Sequence, residues 1–126
     1  MAPIRVLIVE DDPFIAMDIE TAVADQLGDE AELIVVESVA KARKAAAAEP
    51  FSCALLDIDV VDGKTFEVAD TLQRTGIPFA FVSGSAPQEV PKPLRQVRFL
   101  RKPFSTREIA AFVMAAIGGL PSESVA

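Results

Sequence analysis

Two spacings of apolar residues alternate along this chain. Ile4-Arg5-Val6-Leu7-Ile8-Val9 is a short, nearly continuous apolar run that stops at Glu10-Asp11-Asp12, the pattern of a strand buried on both faces. Asp12 followed by Pro13 reads as a helix N-cap and first turn, and Ile15, Ile19, Val23 and Leu27 then recur every four residues up to Gly28. Leu33-Ile34-Val35-Val36 predicts a second strand, and Ser38 caps an Ala-rich helix reaching to about Glu49-Pro50. Cys53-Ala54-Leu55-Leu56-Asp57 predicts a third strand. A helix over 64–74, with Phe66, Ala69 and Leu72 on its apolar side, ends at Gly76. Phe79-Ala80-Phe81-Val82 and residues 97–101 predict the fourth and fifth strands. Ser105 with Glu108 forms a capping box, and Phe104 with Ile109 a hydrophobic staple, for a last helix that stops near Ile117.

Five strand–helix units in succession predict an α/β fold: a doubly wound, five-stranded parallel sheet with helices on both faces and strand order 2-1-3-4-5. One interval breaks the rhythm. Pro87, Pro91 and Pro93 fall between Ser83 and Lys102, and a proline inside a helix costs about 3 kcal/mol, so the fourth helix is expected to be short or broken. The 126 residues suit one domain, expected over 1–120, with a short polar tail over 121–126.

Composition narrows the chemistry. The balance of 12 Lys and Arg against 19 Asp and Glu gives a net charge of −7, which speaks against nucleic acid or an anionic membrane as a direct partner. Histidine is absent, which removes Ser-His-Asp and Cys-His catalysis and imidazole metal sites. The single cysteine, Cys53, allows no internal disulfide. No run has the length of a transmembrane helix and no signal peptide is read at the start, so a cytoplasmic location is expected.

The polar residues fall at strand ends. Asp11 and Asp12 follow the first strand, Asp57 ends the third, Ser83 the fourth and Lys102 the fifth. In a parallel sheet these ends share one edge, where α/β proteins bind ligands. Read singly, each has a plainer role: a helix cap, a turn, a solvated lysine. Together they predict three carboxylates, a hydroxyl and an ammonium in one place. Such carboxylates need a cation, and Mg²⁺ with its taste for hard oxygen suits them; an Asp can itself accept a phosphoryl group.

Ile8-Val9-Glu10-Asp11-Asp12, Leu55-Leu56-Asp57, Val82-Ser83-Gly84 and Phe99-Leu100-Arg101-Lys102-Pro103-Phe104 resemble, in order, the landmarks of the response-regulator receiver domain of two-component signalling. The resemblance covers essentially the whole chain. It implies Asp57 as phosphoacceptor, with Mg²⁺ held by Asp11, Asp12, Asp57 and the main-chain carbonyl of Asp59. It implies that Ser83 and Lys102 contact the phosphoryl group, that Pro103 follows a cis peptide bond, and that Phe99 occupies the place of a switching aromatic. The donor would be a histidine kinase or a histidine phosphotransfer protein. The response would pass by protein–protein contact or phosphate relay to an output protein the sequence does not name. In this reading the protein is a single-domain regulator and not an enzyme, apart from self-catalysed phosphoryl transfer and autodephosphorylation.

Two stretches depart from the family pattern. The segment after Asp57, Ile-Asp-Val-Val-Asp-Gly-Lys, lacks the usual proline, and its Asp59 and Asp62 are expected to add carboxylates near the metal. The last helix presents Ala110, Ala111, Met114 and Ala115 opposite its core stripe, which suggests a partner or a homodimer there. Two alternatives stay open. Leu56-Asp57-Ile58-Asp59 also resembles the signature of haloacid-dehalogenase phosphatases, with Asp59 as general acid, and a receiver-like binding module that is never phosphorylated would keep the same fold.

Overall fold

The structure is a computed structural model that describes residues 4–84 and 87–118. Strands β1 (Ile4–Val9), β2 (Ala31–Val36), β3 (Cys53–Leu56), β6 (Phe79–Ser83) and β7 (Arg98–Arg101) form one parallel sheet in the order β2-β1-β3-β6-β7. That is the predicted 2-1-3-4-5 order, once a small hairpin of β4 (Asp59–Val60) and β5 (Gly63–Lys64) is set aside. The helices are α1 (Pro13–Leu27), α2 (Val39–Ala48), α3 (Phe66–Arg74) and α4 (Thr106–Gly118).

Strand side chains alternate between two cores, as the pleat requires. Leu7, Val9, Ala54, Leu56, Phe79 and Phe81 meet Ala42 of α2 and Val68, Ala69 and Leu72 of α3. Val6, Ile8, Cys53, Leu55, Ala80, Val82 and Leu100 meet Ile19 and Val23 of α1 and Ile109, Phe112 and Val113 of α4. Both faces are therefore covered, and the strands need no polar side until they reach their ends.

The local signals act as their chemistry predicts. The Asp12 carboxylate accepts hydrogen bonds from the Phe14 and Ile15 N–H groups at 2.9 and 3.2 Å and caps α1. Gly28, at φ +70°, takes the left-handed turn that ends it. Ser38 caps α2 through the Lys41 N–H at 3.1 Å. Ser105 and Glu108 make the reciprocal capping box of α4, and Phe104 packs into the same core as Ile109.

The interval between β6 and β7 contains no α-helix among the described residues, only 3₁₀ turns at Pro87–Glu89 and Lys92–Leu94. Buried Val90 and Leu94 pin this segment to the α3 side of the sheet. The Arg95 guanidinium donates to the Val90 carbonyl at 2.8 Å and closes the segment on itself. Phe99 is half-buried and packs beside Phe81, with ring centroids 6.3 Å apart. On α4, Ala111, Met114 and Ala115 are exposed, while Ala110 is half-buried. No helix among the described residues is long and apolar enough to cross a membrane. The tail over 121–126 lies outside the described residues.

Candidate functional site

Sheet register assembles the site. Val9 pairs with Leu56 and Leu56 with Phe81, so the residues that follow β1 and β3 emerge side by side. The Asp57 N–H donates to the Val9 carbonyl at 2.8 Å, and the Glu10 N–H to the Val36 carbonyl at 3.0 Å, which extends both strands by one residue. On the other side Ser83 pairs with Arg101, and the Lys102 N–H donates to the Ser83 carbonyl at 3.0 Å. The Lys102–Pro103 peptide bond is cis.

Three carboxylates converge there. One oxygen each from Glu10, Asp11 and Asp57 lies within 4.8 Å of the others. The Lys102 ammonium stands over two of them, 2.8 Å from Glu10 Oε1 and 3.1 Å from Asp57 Oδ2. Asp57 Oδ1 accepts from the Ile58 N–H at 2.7 Å, and the Asp57 carbonyl accepts from the Thr65 hydroxyl at 2.6 Å. Glu10 Oε2 accepts from the Asp12 N–H at 3.1 Å. Ser83 is buried at the end of β6, beside the strand that delivers Lys102.

Burial sets the electrostatics. Desolvation pushes the Glu10 carboxyl up to about 7, helped by the negative charge of Asp57, and the ammonium and the Asp12 N–H only partly offset it. Burial works against the charge of Lys102, but its ion pairs with Glu10 and Asp57 prevail and raise it above the ordinary lysine value. Glu10 Oε1, although ion-paired, is buried and accepts no hydrogen bond of good geometry. Three clustered carboxylates with a single ammonium that pairs with two of them, and one oxygen left in that condition, fit a hard divalent cation such as Mg²⁺.

The predicted residues divide. Asp11, Asp57 and Lys102 come together, and Ser83 lies at the same sheet edge. Asp12 does not join the group: it is exposed, and its Oδ1 caps α1. The place beside Asp11 belongs to Glu10, which the sequence reading passed over. Burial at a strand end and the prior claim of the cap on Asp12 were the signals that could have found it. Asp59 is exposed and opens the β4–β5 hairpin, where its carboxylate pairs with Lys64. Asp62, expected near the metal, instead turns to α2, where its carboxylate accepts from the Val39 and Ala40 N–H groups at 2.6 and 3.0 Å. The extra negative charge anticipated around Asp57 is thus taken up by a lysine and a helix N-terminus. Cys53 is buried, and burial pushes its thiol up to about 12, so it is inert. A surface recess of about 630 Å³, lined by Gln73, Phe79, Gln96, Arg98 and Ala115, lies where β6 and β7 begin, at the opposite edge of the sheet from the carboxylates.

No family model matches the chain, and no curated protein does. Solved structures match over nearly its full length. SdrG from Sphingomonas melonis Fr1 is 31% identical, with a TM-score of 0.76 over 93% of this chain and 99% of that one. A response regulator receiver protein from Sinorhizobium medicae WSM419 is 21% identical, with a TM-score of 0.77 over 93% and 96% of the two chains. A CheY-like receiver domain protein from Methanospirillum hungatei JF-1 is 21% identical, with a TM-score of 0.78 over 92% and 94%. With its strand order, its carboxylates and lysine at one sheet edge, and these matches, the chain belongs to the receiver-domain family of response regulators.

Proposed function

We propose that this receiver accepts a phosphoryl group on Asp57 in a Mg²⁺-dependent reaction. The observation that carries the reading is the meeting of Glu10, Asp11 and Asp57 under one lysine at the carboxyl edge of the sheet. Carboxylate oxygens of Glu10, Asp11 and Asp57 would hold the ion, with the main-chain carbonyl of Asp59 as a further ligand. When bound, Mg²⁺ neutralises phosphoryl oxygens and lets an anionic carboxylate approach an anionic donor.

The donor class that fits is a phosphohistidine on a histidine kinase or phosphotransfer protein. An Asp57 carboxylate oxygen attacks phosphorus, the P–N bond breaks, and the imidazole leaves with its electron pair and takes up a proton. The product is an acyl phosphate on Asp57, which water later cleaves to carboxylate and inorganic phosphate. Lys102, already 3.1 Å from Asp57, would shift its contact to a phosphoryl oxygen, and the Ser83 hydroxyl would donate to another. The Ile58 N–H and the Thr65 hydroxyl hold Asp57 in place throughout. The consequence is signalling through contact with a further protein.

The phosphatase reading finds no support, because Asp59 stands outside the carboxylate cluster and is paired with Lys64. The test is direct. Incubation with acetyl phosphate and Mg²⁺ should add the mass of one phosphoryl group, and Asp57→Ala should abolish the addition. A wild-type protein that gains no mass, or a variant that still does, overturns the proposal. Failure of the wild type alone would leave a receiver that works as an unphosphorylated binding module.

A further inference from the structure

The loop that follows Asp57 is held more firmly than a surface connection needs to be. At its base the Thr65 N–H donates to the Ile58 carbonyl at 2.9 Å, and the fully buried Thr65 hydroxyl donates to the Asp57 carbonyl. Above that base the chain pairs with itself as β4 and β5 and turns through Gly63, whose φ of +136° few side-chain-bearing residues adopt. At the tip the Asp62 carboxylate reaches more than twenty residues back along the chain and takes both of the first two N–H groups of α2.

Those N–H groups belong to the orphan donors that every helix leaves at its start. Ser38 satisfies the third residue of α2, Lys41, from its own local position. Asp62 satisfies Val39 and Ala40 from another part of the fold, so its two bonds tie the hairpin to the β2–α2 corner. That corner also fixes Glu10, whose N–H donates to the carbonyl of Val36 at the end of β2. One carboxylate therefore joins the loop behind Asp57 to the framework that sets Glu10.

We infer that Asp62 is a positioning residue for the phosphoacceptor site: it clamps the 58–64 loop to the N-terminus of α2 and so presets the spacing of the Asp57 and Asp59 side of the site against Glu10 and Asp11. The inference rests on the function proposed above and adds to it a residue that never touches the metal or the phosphoryl group. A free loop would have to be ordered each time the ion bound, and the clamp meets that cost during folding.

Capping of α2 is the competing role, and Ser38 offers the control for it. Wild type, Asp62→Ala, Asp62→Asn and Ser38→Ala are compared as full chains by thermal melting without metal and by Mg²⁺ titration followed through amide NMR shifts. Both alanine variants lose a cap and should melt lower than wild type. Only Asp62→Ala should weaken Mg²⁺ binding, by roughly tenfold, as outer-shell substitutions at metal sites do. Asp62→Asn keeps one acceptor oxygen and should fall between Asp62→Ala and wild type. Ser38→Ala should stay within about twofold of wild type, well below that outer-shell effect. Equal Mg²⁺ affinity in wild type and Asp62→Ala, or equal weakening in both alanine variants, overturns the clamp and leaves the function standing. A wild type that binds no Mg²⁺ removes the function and the clamp together.

Discussion

Two groups of carboxylates sit within a few residues of one another and do opposite things. Glu10 and Asp57 are buried, face a third carboxylate on Asp11, and share one ammonium. Asp12 and Asp62 are exposed, and each aims both its charge and its lone pairs at the N–H groups that open a helix. Burial drives the Glu10 carboxyl up to about 7. The Val39 and Ala40 N–H groups hold Asp62 below the usual carboxylate range. The contrast shows what separates a site from ornament in an acidic chain. Asp12 and Asp62 place their charge at helix N-termini, outside the cluster, whereas Glu10, Asp11 and Asp57 crowd together beside one ammonium and remain in need of a cation.

The sharpest break between the two groups is Glu10→Gln against Asp12→Ala. Glu10→Gln removes a charged oxygen from the cluster and should weaken Mg²⁺ binding by roughly tenfold or more. The metal-free protein should not lose stability at pH 8, because a buried charge has been neutralised. Asp12→Ala should do the reverse, losing about 1 kcal/mol of stability with the cap while leaving Mg²⁺ affinity nearly intact. Calorimetric titration with Mg²⁺ and metal-free denaturant melts measure both quantities. Equal loss of Mg²⁺ affinity in the two variants would erase the distinction.

Titration gives a second, smaller test. The Glu10 carboxyl is raised from 4.5 to about 7 in the folded protein, so between those values the folded state holds more protons than the unfolded one. Stability from this group is complete below about pH 4.5 and is lost as pH rises through about 7. Mg²⁺ competes with that proton, so its affinity should climb across the same range and level off above it. Glu10→Gln should flatten both profiles. A wild-type affinity that does not change between pH 6 and 8, on the scale set by the shift to about 7, would mean that Glu10 does not face the ion.

Most of this molecule was legible before its structure, and the illegible part has physical causes. The Asp12-Pro13 cap and the Ser105 and Glu108 box are local, written by residues within a turn of one another, and both are found as predicted, while the five strands of the main sheet lie within two residues of their expected bounds. Asp57 and Lys102 were readable because strand order places their ends together. That Glu10 and not Asp12 stands beside Asp11 in the cluster turns on one residue of register, where extended backbone gives way to helix and successive side chains part direction. The path of Asp62 carried no local signal, because its hydrogen bonds close over more than twenty residues, and the hairpin after Asp57 has strands of two residues each, too short for an alternating pattern to show. The prolines between Ser83 and Lys102 told that a helix was missing. They could not tell that Val90 and Leu94 would hold the segment down.

Lys64 offers the smallest effect and the finest discrimination. Its ammonium lies between Asp59, on its own hairpin, and Glu89, 3.5 Å away on the first 3₁₀ turn after β6. The hydrogen bond to Asp59 raises it above the ordinary lysine value. All three side chains are about half exposed, and ion pairs in that setting are largely screened by solvent and salt. Lys64→Ala should therefore barely move the melting temperature, and what difference exists should vanish in high salt. Mg²⁺ affinity offers the better reading. If Asp62 holds the hairpin, removing Lys64 leaves the loop in place and affinity holds steady. If the variant instead weakens Mg²⁺ binding as much as Asp62→Ala does, the loop hangs on its exposed ion pairs, and the division between carboxylates bound to backbone and carboxylates left for the ion loses its footing.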